Sequence, residues 1–107
     1  MGWNVQTLNR SVDAEIEALP NDMRARLVRL TQLIQQFGFQ GLPPDSVKHL
    51  EEKLWELRIT GRDGISRAIY VTAAGQRVII LRVFIKKTQK TPQRELDLAR
   101  ERAKEVK

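Results

Sequence analysis

Cationic side chains concentrate in the middle of the sequence, between Lys48 and Lys90. This segment holds ten lysine and arginine residues against four acidic ones, so its net charge of +6 equals that of the whole chain. Guanidinium groups bind phosphate oxygens in a two-pronged fork, and lysine adds a mobile point charge. A local positive excess also speeds the encounter with a polyanion. We therefore expect this segment to bind a polyanion, RNA first; a charged face that serves only solubility is the alternative.

Cleavage of an RNA backbone is a reaction that such a cationic site can catalyse. Attack of the 2′-OH on the neighbouring phosphate needs charge stabilisation at the phosphorane and proton transfer to the leaving 5′ oxygen. A ring of arginine and lysine supplies the first, and a lysine with a lowered pKa can help with the second. Phe84 or Tyr70 would stack a base, with a place in the core as the alternative for each.

Other catalytic chemistries lack the residues they need. The sequence has no cysteine, which excludes thiolate nucleophiles and thiolate metal sites, and its single histidine excludes a histidine-rich metal centre. No P-loop or GxGxxG pattern is present. That histidine, His49, is a candidate general base with a structural role as its alternative, and Glu56 and Asp63 are too isolated to form an acid–base pair. We expect neither a metal nor a cofactor.

Length and composition indicate one globular domain, residues 1–107. The chain is long enough to bury a single core, and its 41% hydrophobic and 30% charged residues are typical of folded proteins. No apolar run approaches the roughly 20 residues of a membrane-spanning helix. The segment Met1–Val5 lacks the basic-then-apolar pattern of a signal peptide. The cytoplasm is the expected compartment.

Three elements are predicted before the basic segment. Trp3–Leu8 reads as a short strand. Ser11 is the predicted cap of a first helix with apolar residues Val12, Ile16 and Leu19. Pro20 ends that helix, and Asn21 caps a second one with an apolar stripe at Met23, Leu27, Leu30, Ile34 and Phe37. Gly38 is placed to end the second helix, and an irregular connector follows it.

Three strands and a last helix follow. The strand Leu54–Thr60 alternates, with Trp55, Leu57 and Ile59 on one face and Glu56, Arg58 and Thr60 on the other. Turns at 61–64 and 73–76 lead into the strands Arg67–Thr72 and Arg77–Lys86. Strict alternation in the last strand groups Ile79, Leu81, Val83 and Ile85 on one face and Ile80, Arg82, Phe84 and Lys86 on the other. Thr91 as N-cap and Pro92 as first residue begin a helix with Leu96, Ala99 and Ala103 on its apolar side.

These elements predict an α+β fold, in which an N-terminal helix hairpin packs on an antiparallel sheet and a C-terminal helix follows, in two layers. The sheet face away from the hairpin is expected to carry Arg58, Arg82 and Lys86, and Arg67 if the register allows. Neither Arg67 nor Lys87 is expected in the core, so alanine at either position should leave the fold intact.

The order of these elements and two sequence runs resemble a known toxin family. The runs are Leu54-Trp55-Glu56-Leu57-Arg58 and the stretch from Phe84 to Pro92, which reads F-I-K-K-T-Q-K-T-P. Together with the helix hairpin and the run Arg67–Tyr70, they are similar to the phage-related, HigB-like branch of the RelE/ParE toxin superfamily. The resemblance covers nearly the whole chain.

The resemblance implies a RelE-type fold and a ribosome-dependent mRNA endoribonuclease that works without metal, as the toxin of a type II toxin–antitoxin pair. Its partner would be a helix-turn-helix antitoxin, which neutralises the toxin and binds operator DNA. Position by position, the resemblance implies catalytic roles for Arg58, Arg67 and Lys87 (or Lys86). The other residues predicted to bind RNA are Arg82, Phe84, Lys86 and Lys90.

Two departures from the RelE pattern leave the proton-transfer residue unassigned. Glu56 stands where RelE has a second lysine, and the C-terminal helix has no tyrosine. Two other functions stay open, since a fold does not decide an activity. One is a ParE-like inhibitor of DNA gyrase without catalytic chemistry, and the other is an inactivated relative that only binds nucleic acid.

Overall fold

The computed structural model describes residues 2–87 and 90–107, and it has the predicted order of helix hairpin, sheet and C-terminal helix. The helices are α1 (Arg10–Glu17), α2 (Asn21–Phe37) and α3 (Gln93–Ala103), with a short 3-10 helix at Phe39–Gly41. The strands are β1 (Asn4–Thr7), β2 (Val47–Glu51), β3 (Leu54–Gly61), β4 (Gly64–Ala73) and β5 (Arg77–Lys86). The α+β fold class is confirmed. In the described part of the chain, no helix is long and apolar enough to cross a bilayer.

The strands form one sheet in the order β1-β5-β4-β3-β2. β1 runs parallel to β5, and the other neighbouring strands are antiparallel. On one face, α1 and α2 bury a core that includes Leu30 and Leu57. On the other face, Ala99 of α3 packs in a second core with Ile69 and Leu81. The C-terminal helix therefore adds a partial third layer to the two that the sequence predicted.

The ends of the helix hairpin differ in part from the prediction. Asn9, not Ser11, caps α1, because Oδ1 of Asn9 accepts the N–H of Val12 at 3.2 Å. Phe37 continues the apolar spacing of α2 but is 64% exposed, since it lies at the very end of the helix. Gly38 ends α2 as predicted, with a positive φ of 74° that glycine adopts without strain.

The other two helices begin one residue away from their predicted starts. Asn21 is the first residue of α2 rather than its cap, because Pro20 holds the extended N-cap conformation. Pro92 is the N-cap of α3 rather than its first residue. Thr91 does not cap α3; its hydroxyl instead donates to the carboxylate of Glu56 at 2.9 Å. A buried carboxylate requires such donors, and this requirement competes with helix capping.

Strand β2 is missing from the prediction, which placed His49 before the sheet. β2 pairs antiparallel with β3, and His49 lies opposite Trp55. It is an edge strand that carries Lys48 and Glu51, and charged residues of this kind keep sheet edges from pairing with other chains. The same charges obscure the alternation by which a strand is recognised in a sequence.

Where β5 pairs with β4, Leu81 is an extra residue with no partner on β4. Ile69 of β4 lies opposite Arg82, but the next residue, Tyr70, lies opposite Ile80. Leu81 is therefore a β-bulge, at which the side-chain alternation changes phase. The two cores show the change: Ile80 and Val83 pack toward the hairpin, whereas Ile79, Leu81 and Phe84 pack toward α3. The predicted alternation through the whole of β5 was wrong.

Beyond the bulge, α1 and α3 close the free edge of β5. β1 pairs with β5 only as far as Ile80, so the following backbone groups on that side need other partners. Glu15 of α1 accepts the N–H of Val83 at 3.0 Å, and Arg102 of α3 donates to the carbonyl oxygen of Leu81 at 2.8 Å. Glu15 and Arg102 also form an ion pair at 2.8 Å, which ties the two helices together over the strand.

Replacing Glu15 by alanine should destabilise the protein strongly. The change leaves the N–H of Val83 without an acceptor and removes a carboxylate shared by Arg82 and Arg102. We expect a loss of about 2–3 kcal/mol in the free energy of unfolding, measured by urea denaturation. Glu17→Ala is the matched control, because Glu17 is an exposed residue of the same helix, and it should change stability by less than about 0.5 kcal/mol. Equal effects of the two variants would contradict the role of Glu15.

Candidate nucleic-acid interface

The sheet face that packs against α3 carries three basic side chains beside its apolar core. These residues, Arg58, Arg67 and Lys86, form the basic cluster. Arg58 of β3 and Arg67 of β4 are direct cross-strand partners. Arg67 in turn lies opposite Phe84 of β5, and Lys86 follows two residues later on the same face. This placement depends on the bulge: alternation continued unbroken from Ile80 would have turned Phe84 and Lys86 toward the hairpin.

A buried carboxylate, that of Glu56, lies among these cations. Its side chain is fully buried, its Oε2 lies 3.2 Å from Nη1 of Arg67, and its Oε1 accepts the hydroxyl of Thr91. An unpaired carboxylate would be strongly unfavourable at such a position, so Glu56 holds Arg67 and the residue before Pro92 in place. The prediction left Glu56 out of the site, although strand alternation had put it on the same face as Arg58.

Two cationic donors in this cluster have no hydrogen-bond acceptor among residues 2–87 and 90–107. They are Nε of Arg67 and Nζ of Lys86. Arg67 is 8% exposed and Lys86 is 9% exposed. Buried donors are nearly always paired, and leaving one unpaired costs about 1–3 kcal/mol, more when the group is charged. Two adjacent cations held in this state form a site that favours an anionic ligand.

Burial and neighbouring charges lower the proton affinity of both groups. Burial is the main cause that lowers the pKa of Lys86, followed by the charge of Arg67; Lys48 and Arg58 act in the same direction, and Glu56 opposes them. Burial also lowers the pKa of Arg67, against the effect of Glu56 and with a contribution from Arg58. An anion bound here would relieve this repulsion, because an opposite charge favours the ionised form of each cation.

The loop after β5 brings further cations next to the cluster. Lys87 was predicted to be catalytic and Lys90 to bind RNA, and both residues are exposed. Between them, Thr88 and Gln89 of the F-I-K-K-T-Q-K-T-P run lie outside the described residues. The loop starts at the end of β5, inside the cluster, and ends at Thr91, which is hydrogen-bonded to the buried carboxylate. Both ends of the loop are therefore fixed to the site.

Two of the residues predicted to bind RNA are engaged within the protein. Arg82 pairs with Glu15 at 2.9 Å and with Glu95 of α3 at 2.6 Å, so its guanidinium belongs to the network around the bulge. Phe84 is 8% exposed and packs in the core under α3, which leaves little of its ring for stacking on a base. Strand alternation placed both side chains on this face, but it did not show that α3 would cover them.

Tyr70 and His49 lie on the hairpin side of the sheet, opposite the basic cluster. The ring of Tyr70 stacks on that of Phe39 at a centroid distance of 5.7 Å, and burial raises the pKa of the tyrosine. For Tyr70 the core alternative was correct. His49 lies opposite Trp55, with ring centroids 4.7 Å apart, and its Nε2 is 2.8 Å from the carbonyl oxygen of Glu52. Neither residue is placed to act on a ligand at the cluster.

Arg58 is the residue of the basic cluster that lies at the edge of the sheet. It lines a cavity of about 260 Å³ at the edge of β3, together with Arg26 of α2, Ser46 and Thr60. Arginine residues of two different elements thus line one cavity at the sheet edge, together with Asp45. Within the described ranges, no group of three or more histidine, cysteine or acidic residues could hold a metal ion. The arginine and lysine side chains of this surface are of the kind that bind the phosphates of a polyanion.

One protein family matches the part of the sequence that contains nearly all the elements of this surface. The family described as Phage derived protein Gp49-like (DUF891) matches residues 14–104. This range contains α2, α3, β2 to β5 and the whole basic cluster. No curated protein matches the sequence.

Replacing Lys86 by methionine should stabilise the protein. Methionine has nearly the volume of lysine but removes a buried ammonium that has no acceptor in the described structure. We expect a gain of about 1 kcal/mol near neutral pH in urea denaturation, because well-packed apolar residues often replace buried charges at no cost or with a gain. The control is Lys87→Met at the next position, where the side chain is exposed, and it should change stability by less than about 0.5 kcal/mol.

The stability difference between Lys86→Met and the wild type should also shrink as pH rises. The pKa of Lys86 is lower in the folded protein than in the unfolded chain, so the unfolded chain binds more protons. Wild-type stability therefore rises with pH through this residue, and the rise is complete above the unfolded pKa of lysine. Urea denaturation at about pH 7 and about pH 10 measures the change. A difference that stays constant or grows with pH would contradict the buried, unpaired ammonium.

Proposed function

The chain belongs to the Gp49-like family of phage-derived proteins, and we propose that it is the toxin of a type II toxin–antitoxin system, in the HigB-like branch of RelE-like toxins. In this proposal residues 1–107 form one domain, which acts in the cytoplasm as a ribosome-dependent mRNA endoribonuclease. The observation that carries the proposal is the buried pair of Arg67 and Lys86, in which Nε of Arg67 and Nζ of Lys86 have no acceptor in the described structure. A phosphodiester of RNA supplies oxygen acceptors for these two donors, and a negative charge in addition to that of Glu56.

The scissile phosphate binds between Arg67 and Lys86 in this proposal. Nε of Arg67 and Nζ of Lys86 donate to its oxygens, while Glu56 holds the guanidinium of Arg67 from the opposite side. Arg58, exposed on the neighbouring strand, and Lys87 bind the phosphates on either side. Charge on the phosphate grows as the phosphorane forms, so these fixed cations stabilise the transition state more than the bound substrate.

The proposed reaction uses the 2′-OH of the RNA as its nucleophile. The oxygen of the 2′-OH bonds to phosphorus, the bond from phosphorus to the 5′ oxygen breaks, and the products end in a 2′,3′-cyclic phosphate and a 5′-OH. The substrate supplies its own nucleophile and the protein supplies the positive charge, so the proposed steps require no metal. DNA lacks the 2′-OH and would bind without being cut.

The proposed protein partner is a helix-turn-helix antitoxin that binds operator DNA and neutralises the toxin. Arg58 and Lys87 are exposed cations at the rim of the site, so acidic side chains of an antitoxin segment would pair with them. Such a segment would block the site by occupying the positions of the RNA phosphates.

Expression of this chain alone should arrest growth through cleavage of translated mRNA. The measurement is sequencing of mRNA 5′ ends after induction, with a matched transcript that lacks a ribosome-binding site to show dependence on translation. We expect new 5′ ends in the translated transcript and none in the other. Growth arrest with intact transcripts would overturn the proposal, and a DNA-damage response in that case would favour inhibition of gyrase.

The variants for this test must respect the ion pair between Arg67 and Glu56. The expectation that alanine at Arg67 leaves the fold intact was wrong, because it would leave a buried carboxylate unpaired at a cost of about 3–5 kcal/mol. Arg67→Lys keeps the positive charge but removes the guanidinium group that can bind a phosphate through two hydrogen bonds. Arg58→Ala alters only an exposed residue. Each should slow cleavage by about 10²-fold or more. Arg29→Ala, an exposed arginine on α2, is the control and should cleave like the wild type.

A further inference from the structure

Protonation of the leaving 5′ oxygen is the step of the proposed reaction to which no residue has yet been assigned. Tyr70 and His49 face the hairpin side of the sheet. Glu56 is fully buried and engaged by Arg67 and Thr91. We propose that Lys86 is the general acid that protonates this oxygen, an inference that rests on the proposed function.

The first support is the position of Lys86. It lies on the same sheet face as Arg67, because Phe84, the cross-strand partner of Arg67, precedes Lys86 by two residues. Its Nζ is buried and, like Nε of Arg67, has no acceptor in the described structure. A ligand oxygen held by Arg67 therefore lies near an ammonium whose protons no residue in the described part of the chain accepts.

The second support is that Lys86 differs from the other lysines near the site. Lys48 and Lys87 are exposed to water. Lys86 is removed from water and faces cations on three strands, namely Lys48 on β2, Arg58 on β3 and Arg67 on β4, against one carboxylate, Glu56. Burial and this surplus of positive charge lower its pKa, which makes the ammonium a stronger acid at neutral pH.

The proton balance of the step is complete with Lys86 in this role. The 2′-OH loses its proton to water as its oxygen attacks phosphorus. The ammonium of Lys86 gives a proton to the 5′ oxygen as the bond to phosphorus breaks, and the product leaves with a 5′-OH. The neutral amine then takes a proton from solvent, which restores the enzyme without a co-reactant.

A sulfur leaving group separates proton donation from phosphate binding. When sulfur replaces the 5′ oxygen at the scissile position, the leaving thiolate is a weak base and departs without protonation. The substrates are two ribosome-bound mRNAs that differ only in this atom, placed at a site that the wild type has been shown to cut. We expect Lys86→Met to cut the oxygen substrate about 10²–10⁴-fold more slowly than the wild type, and the sulfur substrate with only the smaller loss that one missing phosphate contact causes.

Arg58→Ala is the matched control, because it removes a phosphate contact and should slow both substrates by the same factor. Equal losses on both substrates with Lys86→Met would show that Lys86 only binds phosphate, and no loss on either would remove it from the reaction; both results overturn the inference. If the wild type cuts no ribosome-bound mRNA, so that no such site is found, the proposed function is overturned instead. Lys86→Met is expected to be more stable than the wild type, so a loss of cleavage does not reflect misfolding.

Discussion

The extra residue in β5, Leu81, decides which side chains the second half of that strand presents to each face of the sheet. Upstream of the bulge Ile80 packs toward the hairpin, and downstream of it Lys86 lies on the opposite face with Arg67. Beyond the bulge β1 no longer pairs with β5, and Glu15 and Arg102 satisfy backbone groups of that free edge from two different helices. A cluster of cations on β3, β4 and β5 therefore depends on contacts made several residues away from it.

The buried carboxylate of Glu56 makes that cluster possible. Neighbouring cations that are largely buried repel one another strongly, because little water screens their charges. The fully buried negative charge of Glu56 offsets part of this repulsion and holds Arg67 through an ion pair. The compensation is incomplete, because Arg67 and Lys86 keep donors without acceptors in the described structure. Functional sites commonly hold such unfavourable arrangements at the expense of stability, and an incoming phosphate would complete the pairing.

The sequence predicted more of the fold than of the site. Helical and strand periodicities were strong enough to place α2, β3 and the α+β arrangement, because those elements bury regular apolar stripes. Alternation also put Arg58 on the correct face of the sheet. It grouped Lys86 with Ile80, which lies on the opposite face because of the bulge. The bulge at Leu81 and the cover that α3 provides over Arg82 depend on contacts between distant elements, which periodicity does not report. Glu56 had a visible signal, a lone acid between tryptophan and leucine on a buried strand, but its partner Thr91 lies far along the chain.

The central claim is that an RNA phosphate completes the pairing of Arg67 and Lys86. The most direct measurement is the NMR signal of the Nε–H group of Arg67 during titration with a short oligoribonucleotide whose 2′-hydroxyls are methylated, so that it binds without being cut. We predict a saturable shift of this signal, while that of Arg82, which its carboxylate partners hold, stays in place. Binding that shifts the signals of exposed arginines and leaves that of Arg67 unchanged would contradict the account.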